Sequence, residues 1–432
     1  MGRMKRFLKN YGATLALLAG IILGAICGIL WPGAAHAVKP VGDLFLNLIF
    51  VMIVPLVFFS TASSICKLRG SGMLGRTLVT ILAVFLGMSL VAALAGLLAT
   101  ARVPLVLASE WDRFARDLAE GAAEATVPMA EAVVGALTAS DFSLLLSKEH
   151  MLALVLFSAL FGYAVGAVGE KGAAMNRLIL SGSDVMMKMV SLVMVLAPIG
   201  LGCYFADTIA SMGTLLLGGY LRVLLLYLAL TLLFFFVINS LYVWFSGGRG
   251  KSRREALKNY WIHIWAPAAT AAGTVSSAAT MPAAMTAAQR MGAAPEIAES
   301  VIPLGTNIHK DGSVMGAVFK IVFLMTLIGR PVSGTGSLLA IIGVALLEAV
   351  VLSAVPSGGL TGEVFICSVM GFPPEMVGII VAIGLLIDIP ATVLNVNGNI
   401  VGALLVDRLS GLHPHGERRN QIKRDELLEI KN

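Results

Sequence analysis

The feature that most constrains this chain is a series of long apolar runs, with charged residues confined mainly to the segments between them. An α-helix of about 20 apolar residues is needed to cross the roughly 30 Å hydrocarbon core of a bilayer. The spans predicted on this basis are residues 11–31, 43–66, 77–100, 150–169, 186–209 and 217–245. The chain is therefore predicted to be an all-α integral membrane protein.

The composition excludes several other classes of protein. Only 13% of the 432 residues are charged and 58% are hydrophobic, whereas a soluble domain carries about 25% charged residues. A cytosolic enzyme could not bury that much apolar surface, and a disordered chain would be far less hydrophobic. The net charge of +6 is spread over short clusters, so no nucleic-acid partner is predicted. The sequence has no phosphate loop, nucleophile elbow or zinc motif, so we predict neither catalysis nor a cofactor.

The distribution of lysine and arginine predicts the orientation in the membrane. Basic clusters lie within 3–9, 67–76, 249–258 and 418–424, and all four fall on the same side of the predicted spans. The segment 101–149 falls on the other side and is rich in acidic residues. The positive-inside rule therefore places both termini in the cytoplasm. The expected location is the cell inner (plasma) membrane.

Two segments in the second half of the chain are apolar on both arms and polar at the centre. Segment 262–289 has a pair of serines at its centre, and the following helix carries PLGTNIHKDGS (303–313). The arrangement recurs in 336–371, whose centre is VPSGG, and the next helix carries DIPATVLNVNGN (388–399). The two units form a repeat in architecture though not in letters.

Polar interruptions at membrane depth have few physical explanations. Each unpaired backbone N–H or C=O in lipid costs several kcal/mol. Such backbone persists only where protein buries it or where it lines a wet cavity, and paired interruptions in two halves are typical of the binding site of a secondary transporter. We expect the two centres to be tips of re-entrant hairpins, whose backbone N–H groups face an anion such as a carboxylate.

At these residues the sequence resembles a known family. SSAATMP (276–282), PLGTNIHKDGS, VPSGG and ATVLNVNGN (391–399) resemble the signature blocks of the dicarboxylate/amino acid:cation symporters, the glutamate-transporter family, and 42–60 resembles their second helix. The resemblance runs from about residue 12 to 410. It implies eight transmembrane helices, two re-entrant helical hairpins, inverted repeats and a homotrimer. It also implies a scaffold domain and a transport domain that moves like an elevator.

The predicted organisation follows from the spans and this resemblance. The units are 1–100 (the first three helices, mostly scaffold, with helix three in the transport domain), 101–149 (an outer segment and the start of helix four), 150–245 (helices four to six), 258–290 (re-entrant hairpin one), 296–330 (helix seven with its broken motif), 336–371 (re-entrant hairpin two), 375–408 (helix eight) and 409–432 (a basic cytoplasmic tail).

The resemblance also implies a substrate site. In the family, the acid at Asp388 receives the substrate amino group, and Asn395 with the serines of hairpin one binds the main-chain carboxylate. The tip of hairpin two forms the extracellular gate. One anion for an amine and several donors for a carboxylate suit a zwitterion. The implied substrate-binding residues are Ser276, Ser277, Val355, Pro356, Gly358, Gly359, Asp388, Thr392 and Asn395.

Two departures from the family bear on the substrate. Relatives that take acidic amino acids place an Arg where this chain has Ala391, and some have a further Arg where it has Val275. A distal carboxylate without a cation would be disfavoured, so a neutral amino acid is favoured. Lys310 could supply the missing charge, which keeps a C4-dicarboxylate open. An uncoupled exchanger or facilitator, a channel and a non-transporting sensor also stay open.

The cation sites of the family are altered too. The usual motif Asn-Met-Asp-Gly-Thr is replaced by residues 309–313, the closing Asp of the last helix is Asn399, and Phe85 and Met88 replace a Tyr and a Thr. We hypothesise that Lys310 is a tethered cation beside Asp311 that replaces sodium; a proton on a buried lysine or histidine is the alternative coupling ion. The residues implied here are Ser89, His309, Lys310, Asp311, Ser313, Asn395 and Asn399.

Two further charges lie within apolar runs. Lys320 and Glu348 match no role implied by the family. An interhelical ion pair, or snorkelling of the lysine toward the interface, is the expectation for both.

Overall fold

The computed structural model describes residues 16, 19–70, 75–106, 138–147, 150–212, 215–247, 252–351, 359–373 and 376–410. Within these ranges the regular structure is entirely helical, with no strand. The all-α prediction is thereby confirmed for the described part of the chain. The predicted segment 101–149 lies mostly outside it, as do the basic tail and the tip of hairpin two.

The helices are numbered in chain order. They are α1 (Ala19–Leu30), α2 (Pro32–Gly70), α3 (Gly75–Arg102), α4 (Phe142–Leu145), α5 (Met151–Ala167), α6 (Ala173–Val193), α7 (Ala197–Met212), α8 (Leu215–Leu233), α9 (Asn239–Ser246), α10 (Arg253–His263), α11 (Trp265–Thr274), α12 (Ser277–Met291), α13 (Pro295–Ile308), α14 (Asp311–Leu327), α15 (Thr335–Val351), α16 (Gly359–Met370) and α17 (Val377–Ser410).

Several of these helices are long and apolar enough to cross a membrane. Among the described residues four qualify, and they are Pro32–Ser63, Leu78–Arg102, Gly218–Ser246 and Val377–Ser410. The first three cover the spans predicted at 43–66, 77–100 and 217–245. The last covers predicted helix eight. The third contains one π-helical turn, Phe234–Ile238, that joins α8 to α9.

The predicted span 186–209 is wrong as a single straight helix. The structure has α6 and α7 joined by a short 3-10 turn, with a bend of 61° between the two apolar segments. Pro198 occupies the second position of α7. A proline has no N–H and its ring clashes with the carbonyl four residues earlier, so an α-helix cannot continue through it undisturbed. Hydropathy alone does not register this break.

One group of helices surrounds α2. Helix α2 packs against α5, α6 and α7, and α1 lies against α7 through small residues. A Cβ added at Gly20 or Gly24 would overlap the backbone of Pro198 or Gly202. Small residues let helix backbones approach closely where lipid provides no hydrophobic drive for association. The glycines of α1 therefore fix how this group packs.

A second group surrounds α17. The last helix contacts α3, α9, α11, α12, α13, α14 and α16. It is more buried than the other membrane-length helices: 67% of its most apolar 18-residue stretch is buried inside the protein, against 28% of the corresponding stretch of Gly218–Ser246. Helix α17 is therefore the central element on which the polar segments converge.

Three of the four polar interruptions predicted from sequence fall within the described residues, and their outcomes differ. The first is a helical hairpin: α11 and α12 pack on each other and meet at Val275, which has a left-handed φ of 47°, and Ser276. The second breaks a helix at residues 309–310, between α13 and α14. The predicted break at 388–399 is wrong, because α17 is helical throughout. Its polar side chains hydrogen-bond to neighbouring segments, while the backbone hydrogen bonds of α17 itself stay intact.

We expect Gly24→Ala to destabilise the protein. The added methyl would overlap the carbonyl of Gly202 and push α1 away from α7, and overpacking of this kind costs about 1–3 kcal/mol. The matched control is Gly87→Ala on α3, where a Cβ meets nothing within 4 Å. Thermal unfolding in detergent should show a lower Tm for Gly24→Ala than for Gly87→Ala. Equal Tm values would contradict the close approach.

Candidate functional site

The break between α13 and α14 positions the candidate site. His309 has extended backbone, Lys310 also lies outside the helical conformation, and α14 begins at Asp311. The first N–H groups of a helix have no partner within it. Asn395 of α17 supplies one: its Oδ1 accepts hydrogen bonds from the N–H of Gly312 at 2.8 Å and of Ser313 at 3.2 Å. The broken helix is thus hydrogen-bonded to the intact helix α17.

Further contacts hold the start of α14 in place. The Nδ2 of Asn395 donates to Ser313 Oγ at 3.1 Å, and the Tyr227 hydroxyl donates to the Gly312 carbonyl at 2.7 Å. A Cβ at Gly312 would come 2.7 Å from Cα of Ala391. The position therefore needs glycine, because the backbones of α14 and α17 meet there.

His309 lies at the centre of a buried polar cluster. Its Nε2 is 2.8 Å from Oδ1 of Asp311, and its Nδ1 is 3.0 Å from Oδ1 of Asn399. Ser89 Oγ of α3 lies 3.5 Å from the same Asp311 oxygen. The ring stacks on Phe85, with centroids 4.3 Å apart and planes 8° apart. Four segments therefore meet at one imidazole, which is fully buried.

The partners of this ring define its chemistry. The two ring nitrogens face an amide carbonyl and a carboxylate, which are both acceptors; an imidazolium matches this pattern by donating from each nitrogen. The Nε2–Asp311 contact is short but poorly aligned for a hydrogen bond. The cluster is a histidine ring held against an aspartate.

Glycines close in around the cluster. A Cβ at Gly398 would lie 2.7 Å from Asp311 Oδ2 and 3.1 Å from His309 Cε1. One at Gly305 would lie 2.7 Å from Phe85 Cζ. The space between α3, α13 and α17 is therefore filled by the imidazole and its neighbours, and side chains larger than glycine at 305 and 398 would collide with it.

The predicted substrate residues on α17 share one face of an intact helix. Asp388 is partly buried and Thr392, one turn later, is buried. Their i, i+4 spacing brings the two side chains together, as the sequence predicted for an unbroken helix. Asn395 lies nearby in sequence, but its side-chain oxygen Oδ1 already accepts hydrogen bonds from the first residues of α14.

The tip residues of the hairpins are described only in part. Ser276 caps α12, accepting a hydrogen bond from the N–H of Ala279 at 3.2 Å, and Ser277 is the first residue of α12; both serines are partly exposed. Both arms of this hairpin contact α17. In hairpin two, Val355, Pro356 and Gly358 lie outside the described residues, and Gly359 begins α16. Whether the two tips meet stays a prediction.

Charged groups deeper in α14–α16 include one that sequence reasoning missed. The predicted ion pair is confirmed: Lys320 Nζ lies 3.6 Å from Glu348 Oε1. Glu363 of α16 lies closer, with Oε1 2.5 Å from the same ammonium. A glutamate inside an apolar run was the signal that could have identified it. Lys310 interacts electrostatically with Glu348 and Asp388.

Asn397 is a second residue that sequence reasoning did not single out. Its Nδ2 donates to the Tyr260 hydroxyl at 2.9 Å, and both side chains are buried. The hydroxyl in turn lies 3.3 Å from the carbonyl of Phe235. This chain of contacts fixes α10 and the π-helical turn to α17.

Comparisons with known proteins agree with this arrangement. The sequence model of the sodium:dicarboxylate symporter family matches residues 13–409. A proton/sodium-glutamate symport protein of Bacillus subtilis (strain 168) is 24% identical over 423 residues, 95% of each chain. A proton/glutamate-aspartate symporter of the same strain is 26% identical, over 91% of this chain and 93% of the relative. A C4-dicarboxylate transport protein of Leptothrix cholodnii is 25% identical, over 95% and 91%.

Apolar helices of membrane length around a broken helix and a buried polar centre are typical of membrane transport proteins. The length of the family match makes the assignment specific. The chain belongs to the sodium:dicarboxylate symporter family.

We expect Asn395→Ala to loosen the start of α14. The change leaves the N–H groups of Gly312 and Ser313 without their acceptor, and unsatisfied buried donors cost about 1–3 kcal/mol. Thermal unfolding should show a clear loss of Tm. The control is Asn307→Ala, whose side chain donates to Pro303 O within α13; a loss of Tm as large as that of Asn395→Ala would contradict the prediction.

Proposed function

We propose that this protein is a secondary-active carrier of an amino acid, with a neutral one favoured, and that an internal histidine cation replaces sodium at the broken helix. The observation that carries the proposal is the buried contact of His309 with Asp311 and Asn399. The carrier would work by an elevator movement as a homotrimer in the inner membrane, with both termini cytoplasmic. Family membership and the basic clusters of the sequence support those parts.

The position of Asp388 supports a substrate that carries an amine. A partly buried carboxylate on a helix at membrane depth is costly unless a cation pairs with it. A substrate ammonium would provide that cation, and Thr392 on the same face would add a hydroxyl. Backbone donors and serines of hairpin one would hold the main-chain carboxylate.

The surroundings of Asp388 favour a neutral side chain. Ala391 is buried, and its backbone lies against Gly312, so the position offers no charge for a second carboxylate. Lys310 is the alternative partner for a second substrate carboxylate. Relatives named as C4-dicarboxylate transport proteins are consistent with a dicarboxylate as the alternative substrate. Lys310, however, already interacts electrostatically with the acidic groups Glu348 and Asp388, which reduces the positive charge that it offers to an anionic substrate.

The histidine cluster argues against sodium at this position. Sodium is a hard cation and prefers oxygen ligands, whereas the ring of His309 and the face of Phe85 fill the space between Asp311, Ser89 and Asn399. The sequence suggested Lys310 as the tethered cation beside Asp311. The contacts favour His309 for that role.

Among the alternatives considered from sequence, a tethered cation favours the uncoupled exchanger. If the compensating charge belongs to the protein, exchange of substrate needs no sodium gradient at this site. Counterflow of a labelled amino acid between equal salt solutions would then proceed. Net uptake would depend on another ion or on the substrate gradient itself.

The test of substrate class is a thermal-shift screen of the purified protein against the amino acids and C4-dicarboxylates. We expect neutral amino acids to raise Tm and dicarboxylates to leave it unchanged. Asp388→Ala should abolish the shift, because the amine loses its counter-charge. Ser240→Ala, on the exposed side of α9, serves as the control and should keep the shift. Stabilisation by succinate that survives Asp388→Ala would favour the dicarboxylate reading.

The test of the tethered cation is His309→Asn. Removing the ring leaves Asp311 buried beside Ser89 and Asn399, and a lone buried carboxylate costs about 3–5 kcal/mol. We expect a lower Tm in choline chloride that sodium chloride partly restores, because the variant gains space and oxygen ligands for an ion. The wild type should respond equally to both salts. Sodium-specific stabilisation of the wild type would contradict the proposal.

A further inference from the structure

Three buried charged residues meet away from the histidine cluster. Lys320 comes from α14, Glu348 from α15 and Glu363 from α16, so each charge belongs to a different helix. Lys320 Nζ is 2.5 Å from Glu363 Oε1 and 3.6 Å from Glu348 Oε1. We call Lys320, Glu348 and Glu363 the hairpin triad, because α15 and α16 are the two arms of the predicted hairpin two.

The hairpin triad is buried and incompletely satisfied. Both glutamates are 0% exposed and Lys320 is 4% exposed. Within the described part of the chain, no hydrogen bond reaches either carboxylate oxygen of Glu348. The oxygens of Glu363 also lack an aligned hydrogen bond there, although the ammonium lies close. Both side-chain oxygens of Glu348 are thus buried acceptors that receive no hydrogen bond from the described residues.

The charges of the hairpin triad do not cancel. One ammonium faces two carboxylates, so the fully ionised triad carries one excess negative charge. Among the described residues, Lys310 and Asp388, which are opposite in sign, also interact electrostatically with the two glutamates. Tyr227 and Cys367 interact with them in the same way and are neutral when protonated. An uncompensated buried charge costs several kcal/mol, so an additional positive charge is required.

The space around the hairpin triad limits what can supply that charge. Helix α17 passes directly beside it at Gly384, where an added Cβ would contact Glu363 Oε1 and lie 3.6 Å from Lys320 Cε. A sodium or potassium ion needs room for itself and several oxygen ligands. A proton needs almost no volume. It would also convert one glutamate into a hydrogen-bond donor, and an unsatisfied oxygen of the other could accept that hydrogen bond.

We propose that the hairpin triad is a proton-binding site of this carrier, with one proton held by Glu348 and Glu363 beside Lys320. The proposal rests on the proposed transport function and adds the coupling ion, bound apart from His309. Because the two glutamates come from different arms, the site is complete only while α15 and α16 pack together against α14. Proton binding therefore favours the packed arrangement of hairpin two.

The first test measures Tm against pH. The wild type should lose stability as pH rises from 5 to 9, because the proton that neutralises the hairpin triad is given up. Glu363→Gln and Glu348→Gln each mimic the protonated pair, so each should flatten this dependence. The double variant leaves Lys320 with no anion, and its dependence should reverse, with Tm rising as pH rises.

The matched control is Glu170→Gln, at an exposed glutamate of the turn after α5. It should keep the wild-type dependence of Tm on pH. A purely structural triad predicts a different pattern, in which each single variant lowers Tm at every pH by a constant amount. That pattern would overturn the proposal.

The second test follows protons in proteoliposomes loaded with a pH-sensitive dye, with an equimolar mixture of the neutral amino acids added outside. The wild type and Glu170→Gln should acidify the lumen, and Glu363→Gln should reduce acidification at least tenfold while counterflow of the labelled mixture continues. Counterflow without acidification in the wild type would reject the proton site and leave the transport function standing. Loss of counterflow in the wild type would reject the transport function itself, and the pH dependence of Tm would still decide on the proton site.

Discussion

The break between α13 and α14 is the constraint on which the rest of this structure depends. A helix interrupted at membrane depth exposes backbone groups that lipid cannot satisfy. Here Asn395 of α17 satisfies the first N–H groups of α14, and the interruption brings His309 to Asp311 and Asn399. The intact last helix therefore serves as the support against which the broken helix, hairpin one and α3 are arranged.

Two buried ionic clusters extend the same logic. In each of them a basic side chain of the protein faces carboxylates that water cannot reach: His309 faces Asp311, and Lys320 faces Glu348 and Glu363. Where the resemblance implies a cation site in the family, this chain presents an imidazole and a phenyl ring. A carrier that holds its own cations needs fewer from solution, and this connects the departures in sequence with the proposed change in coupling.

Much of the fold follows from local sequence, because hydropathy reports directly on which segments prefer lipid or protein to water. The helices at 77–100 and 217–245, the serine-centred hairpin and the break at 309–310 were all predictable on that basis. The bend before Pro198 and the continuity of α17 were not. A run of polar residues resembles a break in sequence, yet Asn395, Asn397 and Asn399 direct their side chains to other helices and leave their own helix intact.

The sequence by itself determined that this chain is a helical membrane transporter of its family, that Asp388 and Thr392 share a helix face, and that Arg is absent from positions 275 and 391. Those features depend on composition, spacing and residue identity. Only the tertiary structure decided which basic side chain meets which acidic one: His309 rather than Lys310 at the 2.8 Å contact with Asp311, and Glu363 beside Lys320 and Glu348. Pairing of charges depends on distances between helices far apart in the chain, and no local pattern records those distances.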